Sequence, residues 1–94
     1  MGSAAGITAA MRECYSFEIE CQDKRMNYNY KNHLVSIDVD IRKKIIDAQR
    51  LWVKFRDENC AAFASQEDGG TLSSVMSDSC YLKMTTLRAS DFQK

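Results

Sequence analysis

Apolar residues recur along this chain at steps of three and four, the spacing that lines one face of an α-helix. Met11, Tyr15, Gln22, Met26, Tyr30, Leu34 and Ile37 approximate one stripe of a first helix, expected to start at Thr8, a good N-cap, and to run to about Ser36. Cys14, Phe17, Cys21 and Tyr28 form an adjoining stripe, and both stripes are expected to face partner helices. Asp38 then offers an N-cap and Asp40 a first-turn acid for a second helix, in which Ile41, Ile45, Ala48, Trp52, Phe55 and Asn59 form one row. Ile46, Val53, Cys60 and Phe63 widen that row, so the second helix is expected at the centre of the core.

Asp68-Gly69-Gly70 interrupts the pattern, and Thr71 is placed to cap a third helix whose Leu72, Val75, Met76, Cys80, Met84 and Leu87 point inward. The connection is short, which makes the second and third helices antiparallel neighbours. There is no proline, and two of the four glycines sit together in that one turn. The expected fold is all-α, a small three-helix bundle or bent helical hairpin.

A chain of 94 residues is expected to be one domain, spanning 1–94, with residues 1–7 set aside as a tag remnant (Met1-Gly2-Ser3) or a disordered lead. A domain of this size buries only about 60 to 65 per cent of its unfolded surface, so an added staple has much to contribute. Four cysteines with no Cys-x-x-Cys pair and no Cys/His cluster read as a disulfide framework in an oxidising compartment, and no metal site or cofactor is expected.

Cys60 and Cys80 face each other across the Gly-Gly turn and are the expected pair. A hairpin in perfect register would offset them by several ångströms, beyond the usual Cα separation of about 4.4 to 6.8 Å, so the pairing requires a slanted crossing or an early end to the second helix. Cys14 and Cys21 lie seven residues apart, about 10 Å along a helix, and share a face without being able to bond each other. Two readings remain open: one of them pairs with a cysteine that this sequence lacks, or both are buried as small hydrophobes.

Charge excludes some partners. Thirteen basic residues balance thirteen acidic ones, leaving no electrostatic footprint for nucleic acid or a polybasic membrane surface. No apolar run reaches the roughly 18 to 20 residues a bilayer span needs. Nor do the residues assemble a catalytic set: the single histidine, His33, sits in the polar stretch Tyr30-Lys31-Asn32-His33 with no nucleophile beside it, and is expected to be solvated. The chain is therefore read as a non-enzyme.

Asp23, Met26, Asn27 and Tyr30 fall on one side of the first helix, while Arg56, Asp57 and Arg88 lie beside the apolar rows of the other two. An inter-helix polar clamp is expected, with Arg56 and Arg88 meeting Asp23 or Asp57 around Trp52. The aromatics Tyr15, Phe17, Tyr28 and Tyr30 and the helically spaced methionines are alternative partner-binding residues, since tyrosine and methionine are enriched at interfaces, with core packing as the default for them.

One set of residues is more specific. Thr8-x-x-Met11-x-x-Cys14, Asp23-x-x-Met26-Asn27-x-x-Tyr30 and Ala48-Gln49-Arg50-x-Trp52-x-x-x-Arg56-Asp57-x-x-Cys60 are followed by Gly69-Gly70-Thr71 and Cys80-x-x-x-Met84-Thr85-x-x-Arg88-Ala89. This pattern, covering nearly the whole chain, resembles the N-terminal domain of LprI-type lysozyme inhibitors. The resemblance implies an all-helical, disulfide-containing, periplasmic or secreted domain that is not an enzyme. Two departures stand out against that family: Cys21 occupies a position expected to be polar, and the cysteine that many relatives carry before the first helix is absent, which leaves Cys14 without that partner.

On this resemblance, the expected function is inhibition of a peptidoglycan hydrolase, either a lysozyme or an amidase effector against which the chain would serve as an immunity protein. The expected partner is thus a cell-wall hydrolase, with a homodimer also possible. The insertion element would be the turn Ser65–Thr71, where Glu67 and Asp68 precede Gly69 and Gly70 and could approach a basic cleft. The alternative is an envelope structural or adaptor module without a hydrolase target.

Overall fold

The computed structural model describes residues 4–66 and 70–93, and they form three helices: α1 (Ala4–Val35), α2 (Val39–Ala64) and α3 (Gly70–Asp91). No strand is present among the described residues, and the all-α expectation holds. α1 begins at Ala4, upstream of Thr8, because Ala4, Ala5, Ala9 and Ala10 are strong helix formers and carry the helix through that threonine. α3 begins at Gly70, one residue before Thr71.

The turn between α1 and α2 is closed by Arg42. Its Nε donates to the Leu34 carbonyl at 2.8 Å and its Nη2 to the Ile37 carbonyl at 3.2 Å, satisfying one acceptor in the last turn of α1 and one in the turn that follows. Asp38 stands at the N-cap of α2 in extended conformation, yet its side chain makes no capping bond; its carbonyl accepts from the Arg42 amide at 2.8 Å.

α3, and not α2, is the central helix. It packs along α1 and along α2, whereas α1 and α2 diverge from their shared turn. The molecule is elongated and thin, 58 × 23 × 13 Å. Its core is correspondingly small: Met26, Ala89 and Phe92 are buried, with Tyr30, Ile45 and Trp52 packed against them. Thr85 and Ala89 are fully buried in the C-terminal half of α3, small side chains that let the neighbouring helices approach.

This arrangement reassigns several faces. In α1 the first stripe turns inward over most of its length, but Met11 is exposed, and the adjoining stripe of Cys14, Phe17, Cys21 and Tyr28 faces solvent. In α2, Ile41, Ala48, Phe55 and Phe63 are exposed, since α3 covers only one side of that helix. In α3, Leu72 and Leu87 are exposed and Thr85, Ala89 and Phe92 take their place.

Polar side chains hold α1 to α3. Asn29 Nδ2 donates to the Ala89 carbonyl at 2.9 Å, and Arg25 reaches the Thr86 carbonyl, Ser90 Oγ at 3.0 Å and Gln93 Oε1 at 2.9 Å. Nearer the start of both helices Arg12 and Asp78 pair at 2.9 Å, so α1 and α3 run parallel.

Candidate functional site

Cys60 and Cys80 are joined by a disulfide with a Cα separation of 5.5 Å. α2 ends early, at Ala64, four residues before Asp68. Ser73 Oγ donates to the Ala64 carbonyl at 3.0 Å, so the first turn of α3 projects past the end of α2 and takes up part of the offset.

Beside the disulfide lies a column of stacked cations and rings. Arg56 is buried, and its guanidinium carbon stands 3.9 Å from the centroid of Tyr81 and 5.2 Å from that of Trp52. Its Nε donates to Asp57 Oδ1 at 3.0 Å and its Nη1 to Thr85 Oγ1 at 3.5 Å. Arg88 approaches Trp52 on the same column, 5.5 Å from the ring, and lies 4.6 Å from Phe92. Its Nε donates to Gln49 Oε1 at 2.9 Å, and Gln49 Nε2 contacts Met26 Sδ at 3.7 Å, which carries the connection into α1.

Trp52, Arg56, Asp57 and Arg88 are therefore brought together, but around rings as much as around carboxylates. Among the described residues the acids paired with the two arginines are Asp57 and Asp91, not Asp23. Asp23 instead accepts from Asn27 at 3.5 Å, one turn along the exposed side of α1. Three residues of the column escaped the sequence reading. Gln49 was legible, because it precedes Trp52 by three and Arg56 by seven and so shares their face. Tyr81 and Phe92 were not, since only the packing of α3 between two helices turns them inward.

Burial raises the Tyr81 phenol above its ordinary value; the Arg56 charge opposes this, while Asp23 and Asp57 add to it. Stacked guanidiniums and rings gain attraction from the ring quadrupole. The site stiffens the hairpin.

The proposed recognition residues are dispersed. Tyr28 is 69% exposed, whereas Tyr30 packs against Phe92 with ring centroids 5.2 Å apart. Two residues apart on a helix, they point to nearly opposite sides and cannot share one surface. Gly70 is the first residue of α3, and Glu67, Asp68 and Gly69 lie outside the described residues. His33 is half-buried against Phe92 at 5.8 Å, with its Nδ1 buried and unpartnered, rather than solvated. Among the described residues no helix is long and apolar enough to cross a membrane, and no group of three His, Cys, Asp or Glu could hold a metal ion.

The model of one protein family, described as lysozyme inhibitor LprI, matches residues 1–92. No curated protein and no solved structure matches significantly. With helices, disulfide and family pattern in agreement, the chain belongs to the LprI lysozyme-inhibitor family.

Proposed function

We propose that this protein is a periplasmic or secreted inhibitor that blocks the substrate cleft of a lysozyme. The observation that carries this reading is the family match over residues 1–92. An inhibitor needs no chemistry of its own, only a stiff element that excludes polysaccharide from a groove. The helices on either side of the α2–α3 connection are tied by the Cys60–Cys80 bond and by the Arg56–Tyr81 stack, which supports this connection as the element presented to the cleft. Glu67 and Asp68 give it the charge to approach a basic cleft.

The test is turbidimetric lysis of a peptidoglycan suspension by lysozyme in the presence of the purified, oxidised protein. Lysis slows in proportion to inhibitor, and the double charge reversal Glu67→Lys, Asp68→Lys weakens inhibition by at least about tenfold, the scale expected when opposite charges at an interface become like charges. Unchanged inhibition by that variant removes the turn from the interface. A protein that leaves lysozyme untouched but blocks a peptidoglycan amidase overturns the lysozyme reading in favour of an immunity role.

A further inference from the structure

The exposed face of α1 carries a seven-residue pattern. Ile7, Cys14, Cys21 and Tyr28 recur every seven residues, and Ala10, Phe17 and Lys24 follow the first three at a spacing of three; all seven positions are exposed. Ile7 is 61% and Phe17 66% exposed. A seven-residue repeat of this kind is the seam of one helix against another, because 3.5 residues per turn keep the same side chains facing the partner. The opposite side of α1, through Ile19, Gln22, Met26, Asn29 and Tyr30, is the one turned toward the body of the domain. The helix thus has an inner face that is occupied and an outer seam that is not.

We infer that the occupant of this seam is the α1 of a second copy of the chain, laid antiparallel, with two reciprocal disulfides joining Cys14 of each copy to Cys21 of the other.

Self-complementarity supports the choice of occupant. A two-fold axis crossing α1 between Phe17 and Glu18 sets Cys14 opposite Cys21 and Ile7 opposite Tyr28, apolar against apolar, as an isologous interface requires. The seam between Ile7 and Tyr28 is about 32 Å long. Ala10, Cys14 and Cys21 are small enough for the axes to approach toward the lower limit of about 8 Å, which brings cysteine Cα atoms within disulfide range, while the two Phe17 rings stack beside the two-fold axis between the cysteine pairs. The residues at the end of this seam also border an apolar groove of about 500 Å³ lined by Ile7, Met11, Cys14 and Leu82, over which Tyr28 of the second copy would lie.

The lysines favour the antiparallel orientation, against a contact between the two Glu18 side chains beside the two-fold axis. A parallel pair would place Lys24 directly against Lys24, whereas the antiparallel pair separates them by about 20 Å along the helix. Lys24 leans toward Glu20 of its own helix, at 3.1 Å, and that is the side on which the antiparallel arrangement brings Glu13 of the second copy. The ammonium then lies between two carboxylates.

Each bond forms by thiol–disulfide exchange with a disulfide oxidant. A cysteine thiolate attacks the oxidant and expels one thiolate, and the facing cysteine then displaces the other. Two protein thiols surrender two protons and two electrons, and the oxidant leaves as two thiols.

The experiment uses the full chain with oxidised glutathione, read by non-reducing gel, light scattering and peptide mapping after cleavage at glutamate, which separates Cys14 from Cys21 at Glu18 and Glu20. Expected is a doubled mass with Cys14 linked to Cys21. Because each bond needs one cysteine of each kind, Cys14→Ser and Cys21→Ser alone each reduce the covalent dimer more than tenfold, and mixing the two variants restores it through a single bond. Phe17→Glu slows cross-linking more than tenfold with helical circular dichroism unchanged. Cys14–Cys14 and Cys21–Cys21 linkages, or a monomer carrying two glutathione adducts, would overturn the proposal.

Discussion

The central carbon of the Arg56 guanidinium lies 3.9 Å from the Tyr81 ring centroid, with Trp52 5.2 Å away within the same column. Arg56 belongs to α2 and Tyr81 to α3, and the disulfide between Cys60 and Cys80 sits one helical turn from the first and one residue from the second. Covalent and non-covalent ties between these helices are thus adjacent.

Arg56→Ala should lower stability by about 2–3 kcal/mol, since it removes a buried cation from two rings and leaves Thr85 without its donor. Arg56→Lys should recover less than half of that, because an ammonium cannot reproduce the planar stacking. Urea denaturation of both variants checks the order; equal stability of the lysine variant and the parent would show that charge alone matters.

Breaking the Cys60–Cys80 bond, by reductant or by the double change to serine, should cost roughly 2–4 kcal/mol, as expected for a loop of this size. Thermal melts should shift down by about 10 °C or more, on the scaling for domains of 60–100 residues. A melt that ignores reductant would mean that the stacked column suffices by itself.

Phe92→Ala should remove about 3 kcal/mol, because Phe92 is buried and its ring meets Tyr30, His33 and Arg88. Amide exchange would locate the damage: faster exchange in the last turns of α3 and in α1 around Tyr30, with little change near the disulfide.

Tyr81 gives the fold an alkaline limit. Its phenol titrates higher in the folded state than in the unfolded one, so the folded protein holds its proton more tightly. The associated stability is fully present below the ordinary value of 10.0 and is lost as pH rises through the folded-state value. Unfolding free energy should therefore fall above about pH 10, and Tyr81→Phe should flatten that part of the decline. An identical pH profile for the variant would assign the decline to other groups.

Much of the fold could be read from residue spacing. Helical periodicity and the lone Gly-Gly turn defined three helices, and Cys60 and Cys80 on either side of that turn defined their staple. Trp52, Arg56 and Asp57 share a face or adjoin on α2, so their proximity was also local. Arg88 was different: placing it against Gln49 and Phe92 instead of Asp23 required the relative rotation of two helices.

What the sequence by itself determined was the local content: which segments are helical, where the chain reverses, which cysteines can meet and which family the pattern matches. Periodicity is an intrachain property, and turn chemistry and cysteine spacing act over a few residues. Only the tertiary structure decided that α3, not α2, is central, that Tyr30 turns inward while Tyr28 does not, and that Cys14 and Cys21 face solvent. The physical reason lies in α1, whose apolar residues are spread around the helix, so that no single face is marked by composition. Which face is buried is then decided by the shape of the neighbour, and Met26 packs against the small Ala89 and against Phe92, leaving the heptad seam outside.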